Sequence, residues 1–218
     1  MYLSRVEVDR QNRYKIRDLT HLGAYHNWVE QSFPREVAAG KRPRHLWRLD
    51  RLAGKEYLLL VSEAAPDKAK LERYGVLGTV EIKSYDDFLQ QLQPGQVLQF
   101  RLTANPTHKV TKPGQRQGRV LPHITVMQQR KWLADRAEKH GFQLIMRDQD
   151  EANLAFDVVN RDWPQLQRKA HSGARLSRVS FEGFLKITDL AQFQQTLTRG
   201  LGREKAFGMG LMTVVPEG

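Results

Sequence analysis

The sequence predicts an α+β protein made of two tandem ferredoxin-like units, each with the βαββαβ order that RRM domains share. Three observations predict this. The 218 residues match two domains of about 100 residues each. Short runs of alternating apolar residues, the spacing of half-buried strands, are separated by stretches of helical spacing. The order of those runs then repeats once along the chain.

In the first unit, residues 1–95, the opening run puts Tyr2, Val6 and Val8 on one face and Arg5, Glu7 and Asp9 on the other. A helix is predicted over residues 24–33, after Gly23 and ending before Pro34. Two apolar strands, over residues 45–49 and 57–61, are joined across Ala53 and Gly54. Pro66 opens a short charged helix that reaches Arg73, and Gly75 stops it. Val76, Val80 and Ile82 alternate in a fourth strand. Residues 84–95 read as a capped turn of helix closed by Pro94 and Gly95, and the domain boundary is placed there.

The second unit, residues 96–218, opens with a strand over residues 97–103 that has Leu98, Phe100 and Leu102 on one face. Helical spacing then runs through Met127, Trp132, Leu133 and Ala137, within residues 124–140, until Gly141. Strands follow over residues 142–146, 154–159 and 179–187. A helix over residues 190–197 and a strand over residues 211–215 complete the order. One strand and one basic excursion exceed the plain plan.

Composition narrows the function. The chain has no cysteine, which excludes disulfides, thiolate zinc sites, iron–sulfur clusters and a cysteine nucleophile. No apolar run approaches the roughly 20 residues of a membrane span. The first residues carry charges at Arg5, Glu7 and Asp9, so no signal peptide is expected and the expected location is cytoplasmic. Thirty-five Lys and Arg against 24 Asp and Glu give a net charge of +11. That balance points to a polyanionic partner, nucleic acid before membrane. Residues 1–95 contribute +3 and residues 96–218 contribute +8. From Arg101 to Ala134 inclusive there are seven basic residues and no acid, and from Trp163 to Phe181 four and no acid. A solvated face is the ordinary reading of a charge run, but two acid-free windows in one half argue for a binding surface.

Metal, acyl-transfer and nucleotide motifs are missing, so no metal or other cofactor is expected. Asp148, Asp150 and Glu151 form the only tight acidic cluster, and a solvated turn accounts for it. Among the histidines His26 stands out. It lies in the first turn of the first predicted helix, where the positive helix end disfavours an imidazolium and leaves a ring able to accept a proton. RNA asks little more of a cleaving enzyme, because the 2′-hydroxyl is an internal nucleophile already held near phosphorus. One acid–base group and cationic stabilisation of the phosphorane are enough. A packing or surface histidine is the ordinary alternative, for His26 as for His21.

Two further constellations bear on RNA. In the run Gly-Leu-Gly-Arg-Glu-Lys-Ala-Phe-Gly-Met-Gly, residues 200–210, glycines would let backbone N–H groups approach phosphates while Arg203 and Lys205 supply charge. The structural alternative is a helix cap at Gly200 and tight packing at Gly208 and Gly210. Lys109, Lys112, Arg116 and Arg119 surround Pro113, Gly114 and Gly118, as in an extended basic loop. Arg168, Lys169, Arg175 and Arg178 flank Ser172 and Gly173, as in a hairpin turn. Such projections follow duplex phosphates without reading bases. The aromatic signature of single-strand RNA sheets is missing, which favours folded RNA.

Five segments occur in a telling order: Met1-Tyr2-Leu3-Ser4, the spacing from His26 to Phe33-Pro34, the run Phe100-Arg101-Leu102-Thr103-Ala104-Asn105-Pro106, Phe181-Glu182-Gly183, and the glycine-rich run that continues into Leu211. Together they resemble the CasE family, the CRISPR-associated endoribonucleases of type I-E systems. The resemblance extends from residue 1 to about Pro216. It implies two ferredoxin-like domains and metal-independent cleavage of precursor CRISPR RNA at the 3′ base of the repeat hairpin. It also implies 2′,3′-cyclic phosphate and 5′-hydroxyl ends, and retention on the hairpin with the other subunits of Cascade. His26 falls on the family's catalytic histidine. The family often has a tyrosine three residues earlier, and that position here is Gly23. Tyr25 is one candidate for its part, although consecutive helical side chains point about 100° apart; another group filling the role is the alternative. A repeat-RNA subunit that has lost cleavage is the second functional reading, with Gly23 as its supporting feature.

Overall fold

Alternation of apolar and polar residues sets the first sheet. The computed structural model describes residues 1–41, 43–111, 118–147, 153–168 and 171–216. In order, the first half forms β1 (Tyr2–Glu7), α1 (Arg13–Ile16), α2 (Leu22–Gln31), α3 (Pro34–Ala38), β2 (Leu46–Leu52), β3 (Lys55–Ser62), α4 (Lys68–Glu72), β4 (Glu81–Ser84) and α5 (Asp86–Gln91). The sheet order is β2-β3-β1-β4, antiparallel throughout, as the split βαβ plan requires. Ala53 (φ 50°) and Gly54 (φ 76°) close the β2–β3 hairpin. Both central residues are left-handed, the conformation that matches the twist of a two-residue hairpin.

The second half forms β5 (Val97–Ala104), β6 (Thr107–Val110), β7 (Arg119–Pro122), α6 (Val126–Ala137), β8 (Phe142–Leu144), β9 (Phe156–Asp162), β10 (Gln165–Arg168), β11 (His171–Arg175), β12 (Arg178–Ile187), α7 (Leu190–Arg199) and β13 (Met212–Pro216). The order β13-β5-β12-β8 repeats that of the first sheet, with β9 also paired to β12. The surplus strand of the sequence reading is thus half of an interrupted one. β8 pairs residues 185–187 of β12, and β9 pairs residues 178–183, along the same edge. Strands β6–β7 and β10–β11 form separate two-stranded ribbons.

Four local expectations are corrected. The first long helix starts at Leu22, two residues before the predicted start, and a separate helix begins at Pro34. Proline suits that first position because its missing N–H would have no helical partner there. Val76 lies ahead of β4 in a turn around Thr79. Met127 is 77% exposed, so the apolar face of α6 is carried by Trp132, Leu133 and Ala137 instead. Ser172 and Gly173 lie within β11, which pairs with β10 from Gln165 opposite Arg175 to Arg168 opposite His171.

Strand β2 joins the halves. Its alternation sends Trp47 and Leu49 toward α2 and α4, into a core with Val6, Leu58, Leu60 and Trp28. Leu46 faces the other way, into the core of the second sheet with Leu98, Phe100, Leu102 and Leu211. Both faces of the first sheet are therefore covered. Arg48, on the same face as Leu46, is 2% exposed. It holds Asp50 through Nε (2.8 Å) and Nη2 (2.7 Å). It also donates to the carbonyls of Arg101 (2.9 Å) and Leu211 (3.0 Å) and to Oγ1 of Thr213 (2.7 Å). Removing one partner of a buried ion pair strands the other. Arg48→Met is expected to cost about 3–5 kcal/mol, read as a lower urea midpoint, because Asp50 and two carbonyls lose a donor.

Candidate functional site

The face of α2 decides where His26 points. Leu22, Tyr25, Trp28 and Val29 are buried, and their spacing of three and four residues defines the stripe turned to the sheet. His26 lies off that stripe with 36% of its side chain exposed. Because the helix begins at Leu22, His26 sits in its second turn, beyond the turn over which the helix-end field acts. A charged group beside it is Glu30, one turn on, with Oε1 4.0 Å from Nδ1. The ring of Phe207 lies 6.2 Å away, centroid to centroid.

Two elements from the second half close on this helix. α2 packs against β10 and against the 3-10 turn Lys205–Phe207. Leu176, which follows β11, and Phe207 both pack into the core beneath α2. The basic hairpin and the glycine-rich run thus both pack against α2 from the second half, and Phe207 is the residue that reaches the His26 ring. The helix N-cap is His21, which makes no side-chain cap bond. Its ring leans over Gly23, where an added Cβ would stand 3.0 Å from Nδ1.

Tyr25 faces inward. It is buried, stacked on Trp47 at 6.0 Å, and its hydroxyl accepts a 2.6 Å bond from Arg10, whose guanidinium also holds Glu56. Burial pushes its phenol up to about 12, against the opposing pull of Arg10. It therefore keeps its proton through the neutral range.

Residues 1–216 match the family described as CRISPR associated protein. The CRISPR-associated endoribonuclease Cse3 of Thermus thermophilus is 30% identical, with 99% of this chain and all of the relative aligned. The chain is a member of the CasE family of CRISPR-associated endoribonucleases. A structure of Thermus thermophilus Cse3 bound to an RNA representing a pre-cleavage complex has a TM-score of 0.80 to this chain. It is 28% identical and covers 99% of this chain and 98% of its own. The CRISPR-associated protein Cas6e from Escherichia coli K-12 shares the fold, with a TM-score of 0.68, 23% identity and full coverage of both chains.

In this CasE chain the sequence-predicted site residues fall in different places. Arg168 and Arg175 are on the hairpin that flanks α2. Arg178, at the start of β12, is held in a two-pronged ion pair by Asp162. Lys109 meets Arg203 and Arg136 around a cavity of about 240 Å³ beneath the β6–β7 ribbon. Arg119 sits opposite Val110 on that ribbon. Arg203 also lines a cavity of about 450 Å³ with Arg44, Arg199 and Lys205. The Lys205 ammonium donates to the carbonyl of Arg199 (2.7 Å), and burial together with Arg44 lowers its pKa. Lys112, Arg116 and Lys169 lie outside the described residues, as do Asp148, Asp150 and Glu151. Among the described residues no group of three or more His, Asp or Glu could hold a metal ion. Among them, too, no helix is long and apolar enough to cross a membrane.

Sequence reasoning missed Arg10, Glu30 and Arg44. Only Glu30 carried a local signal, its i,i+4 spacing from His26.

The glycine-rich run also bears on stability. His140 accepts or donates a 3.0 Å bond with Oγ1 of Thr196, and burial, then Lys205 and Arg136, lower its pKa. The unfolded chain therefore takes up this proton first as pH falls. Stability is expected to be full above the ordinary imidazole range and to decline as pH drops through it. Thermal melts from about pH 7.5 to about pH 5.5, a window spanning the ordinary imidazole range, should show a shallower decline in His140→Gln than in the parent.

Proposed function

We propose that this chain cleaves precursor CRISPR RNA at the 3′ base of the repeat hairpin, without a metal, and then stays on the hairpin as a Cascade subunit. The observation that carries this reading is the placement of His26, partly exposed on α2, the helix against which a basic hairpin and the Lys205–Phe207 turn both pack. The family membership and the RNA-bound relative support it.

The chemistry follows from RNA itself. The 2′-oxygen attacks the adjacent phosphorus, the new P–O bond closes a 2′,3′-cyclic phosphate, and the 5′-oxygen leaves with a proton as a hydroxyl. His26 is the proton-transfer group. The basic residues of the second domain bind the duplex phosphates and offset charge on the phosphorane. In this reading residues 1–95 supply the catalytic histidine and residues 96–218 supply most of the RNA grip. Tyr25 contributes through the buried contacts that hold α2 and Arg10, since its ring stacks on Trp47 and its hydroxyl is engaged by Arg10.

His26→Ala should slow cleavage of labelled repeat RNA about 10²–10⁴-fold while hairpin affinity stays near the parent's. The parent should cleave in EDTA, and a single 2′-deoxy substitution at the scissile nucleotide should block cleavage but not binding. Tight binding by the parent with no cleavage would support the non-catalytic reading that Gly23 favours. Equal loss of binding and cleavage in His26→Ala would make His26 structural.

The hairpin makes a second prediction. Replacing Arg168 and Lys169 together by Ala should weaken binding to any stable hairpin. Each lost phosphate contact should flatten the log–log salt dependence by roughly 0.7–0.9. Unchanged affinity and slope would place the RNA elsewhere.

A further inference from the structure

Behind His26 lies a second histidine. His45, just ahead of β2, has 2% of its side chain exposed. It stacks on Phe33, with centroids 3.9 Å apart and planes 7° from parallel. Its Nδ1 is 2.8 Å from Oε1 of Glu30. An ionised carboxylate only accepts, so Nδ1 carries the proton and donates it to Glu30. Its Nε2 is 3.0 Å from Oε2 of Glu36 on α3, close but without hydrogen-bond alignment. The Glu30 oxygen that accepts from His45 is the one 4.0 Å from Nδ1 of His26. One carboxylate oxygen thus stands between a partly exposed imidazole and a buried one.

We propose that Glu30 is a positioning residue for His26 and that His45, with Glu36 and Phe33 around it, is the clamp that holds Glu30 in place. This rests on the reading of His26 as the proton-transfer group. An i,i+4 pair on a solvated helix is worth little alone, because two mobile side chains must be ordered to make it. Here one end of the pair is already ordered. The hydrogen bond from His45 fixes the Glu30 carboxylate, and the Phe33 stack fixes His45.

A carboxylate held on the Nδ1 side of an imidazole sets its tautomer. It favours the proton on Nδ1 and leaves Nε2 as the acceptor, directed away from the carboxylate. A separation of 4.0 Å is longer than a hydrogen bond. Catalytic contacts of this kind tighten when substrate is engaged. Glu30 itself never touches the RNA in this arrangement. It acts through His26.

The test combines spectroscopy with a double-mutant cycle. In ¹⁵N spectra of the full chain without RNA, His26 should show the tautomer with the proton on Nδ1, and Glu30→Gln should shift it toward the other tautomer. Gln keeps an oxygen for His45, so the fold should hold, as thermal melting will show. Single-turnover cleavage should fall about tenfold in Glu30→Gln and about 100-fold in Glu30→Ala, with hairpin affinity undiminished. In a His26→Ala background, Glu30→Gln should cause no further loss. If Glu30→Ala fails to fold, the Gln variant and its spectrum decide the matter.

Wild-type cleavage and an unchanged His26 tautomer in Glu30→Gln, with His26→Ala inactive, would overturn this proposal and leave the cleavage mechanism standing. The same loss from Glu30→Gln with and without His26 would make Glu30 merely structural. Full cleavage by His26→Ala would instead overturn the mechanism and this proposal with it.

Discussion

Arg48 carries a full charge almost out of water, and most of its donors reach across the boundary between the two sheets. A buried guanidinium is tolerable only when its geometry is met on all sides. Asp50 neutralises it from its own strand, and Arg101 adds a second contact to that carboxylate at 3.2 Å. Two carbonyls and a hydroxyl from the second half complete the set. The result is a joint with one satisfactory geometry. α2 is packed on the first side of that joint, and the turn ending in Phe207 is delivered from the second. The surroundings of His26 are therefore fixed by a contact made on the far face of β2.

The glycine-rich run is the other half of the joint. Gly208 has a φ of 74°, and a Cβ there would stand 2.6 Å from the Trp47 ring. Both the left-handed backbone and the close approach require glycine. The indole Nε1–H of Trp47 donates to the carbonyl of Ala206 at 3.2 Å, and Met209 enters the core of the first domain. The run thus wraps an edge strand of the neighbouring sheet. Its glycines serve protein packing, and its charges, Arg203 and Lys205, line a cavity on the outer side. Packing and charge come from the same short run without competing for the same atoms.

Much of this was readable from residue order. Alternation at Val6 and Val8, the turn at Ala53 and Gly54, and the repeated order of elements led to two ferredoxin-like sheets because they are local signals. The start of α2 was missed because His21 gives no capping bond, so nothing near it marks the boundary. Ser172 and Gly173 suggested a turn on composition alone, and strand pairing overrode it. Met127 fitted the helical period yet faces solvent, since only the later periodic positions reach the core. The position of His26 was legible; what surrounds it was not. Glu30, His45 and Phe207 come from three parts of the chain, and no spacing rule connects His45 or Phe207 to His26. Arg48 was silent for the same reason, as its partners in the second half lie 53 to 165 residues away.

The interrupted edge of the second sheet has a consequence for how this chain can change. Ile145 and Ala155 both still bond to Phe184 of β12, and beyond them Met146 pairs with Leu154 instead of with β12. Each part is held by its own pairing, and register is set by which face is buried. Lengthening a detour that already exists adds only about 0.6 kcal/mol of closure entropy per doubling. Added sequence at this point would leave both strand pairings, the joint at β2 and the helix carrying His26 where they are. The broken strand is a port at which this molecule can acquire new surface without rebuilding its frame.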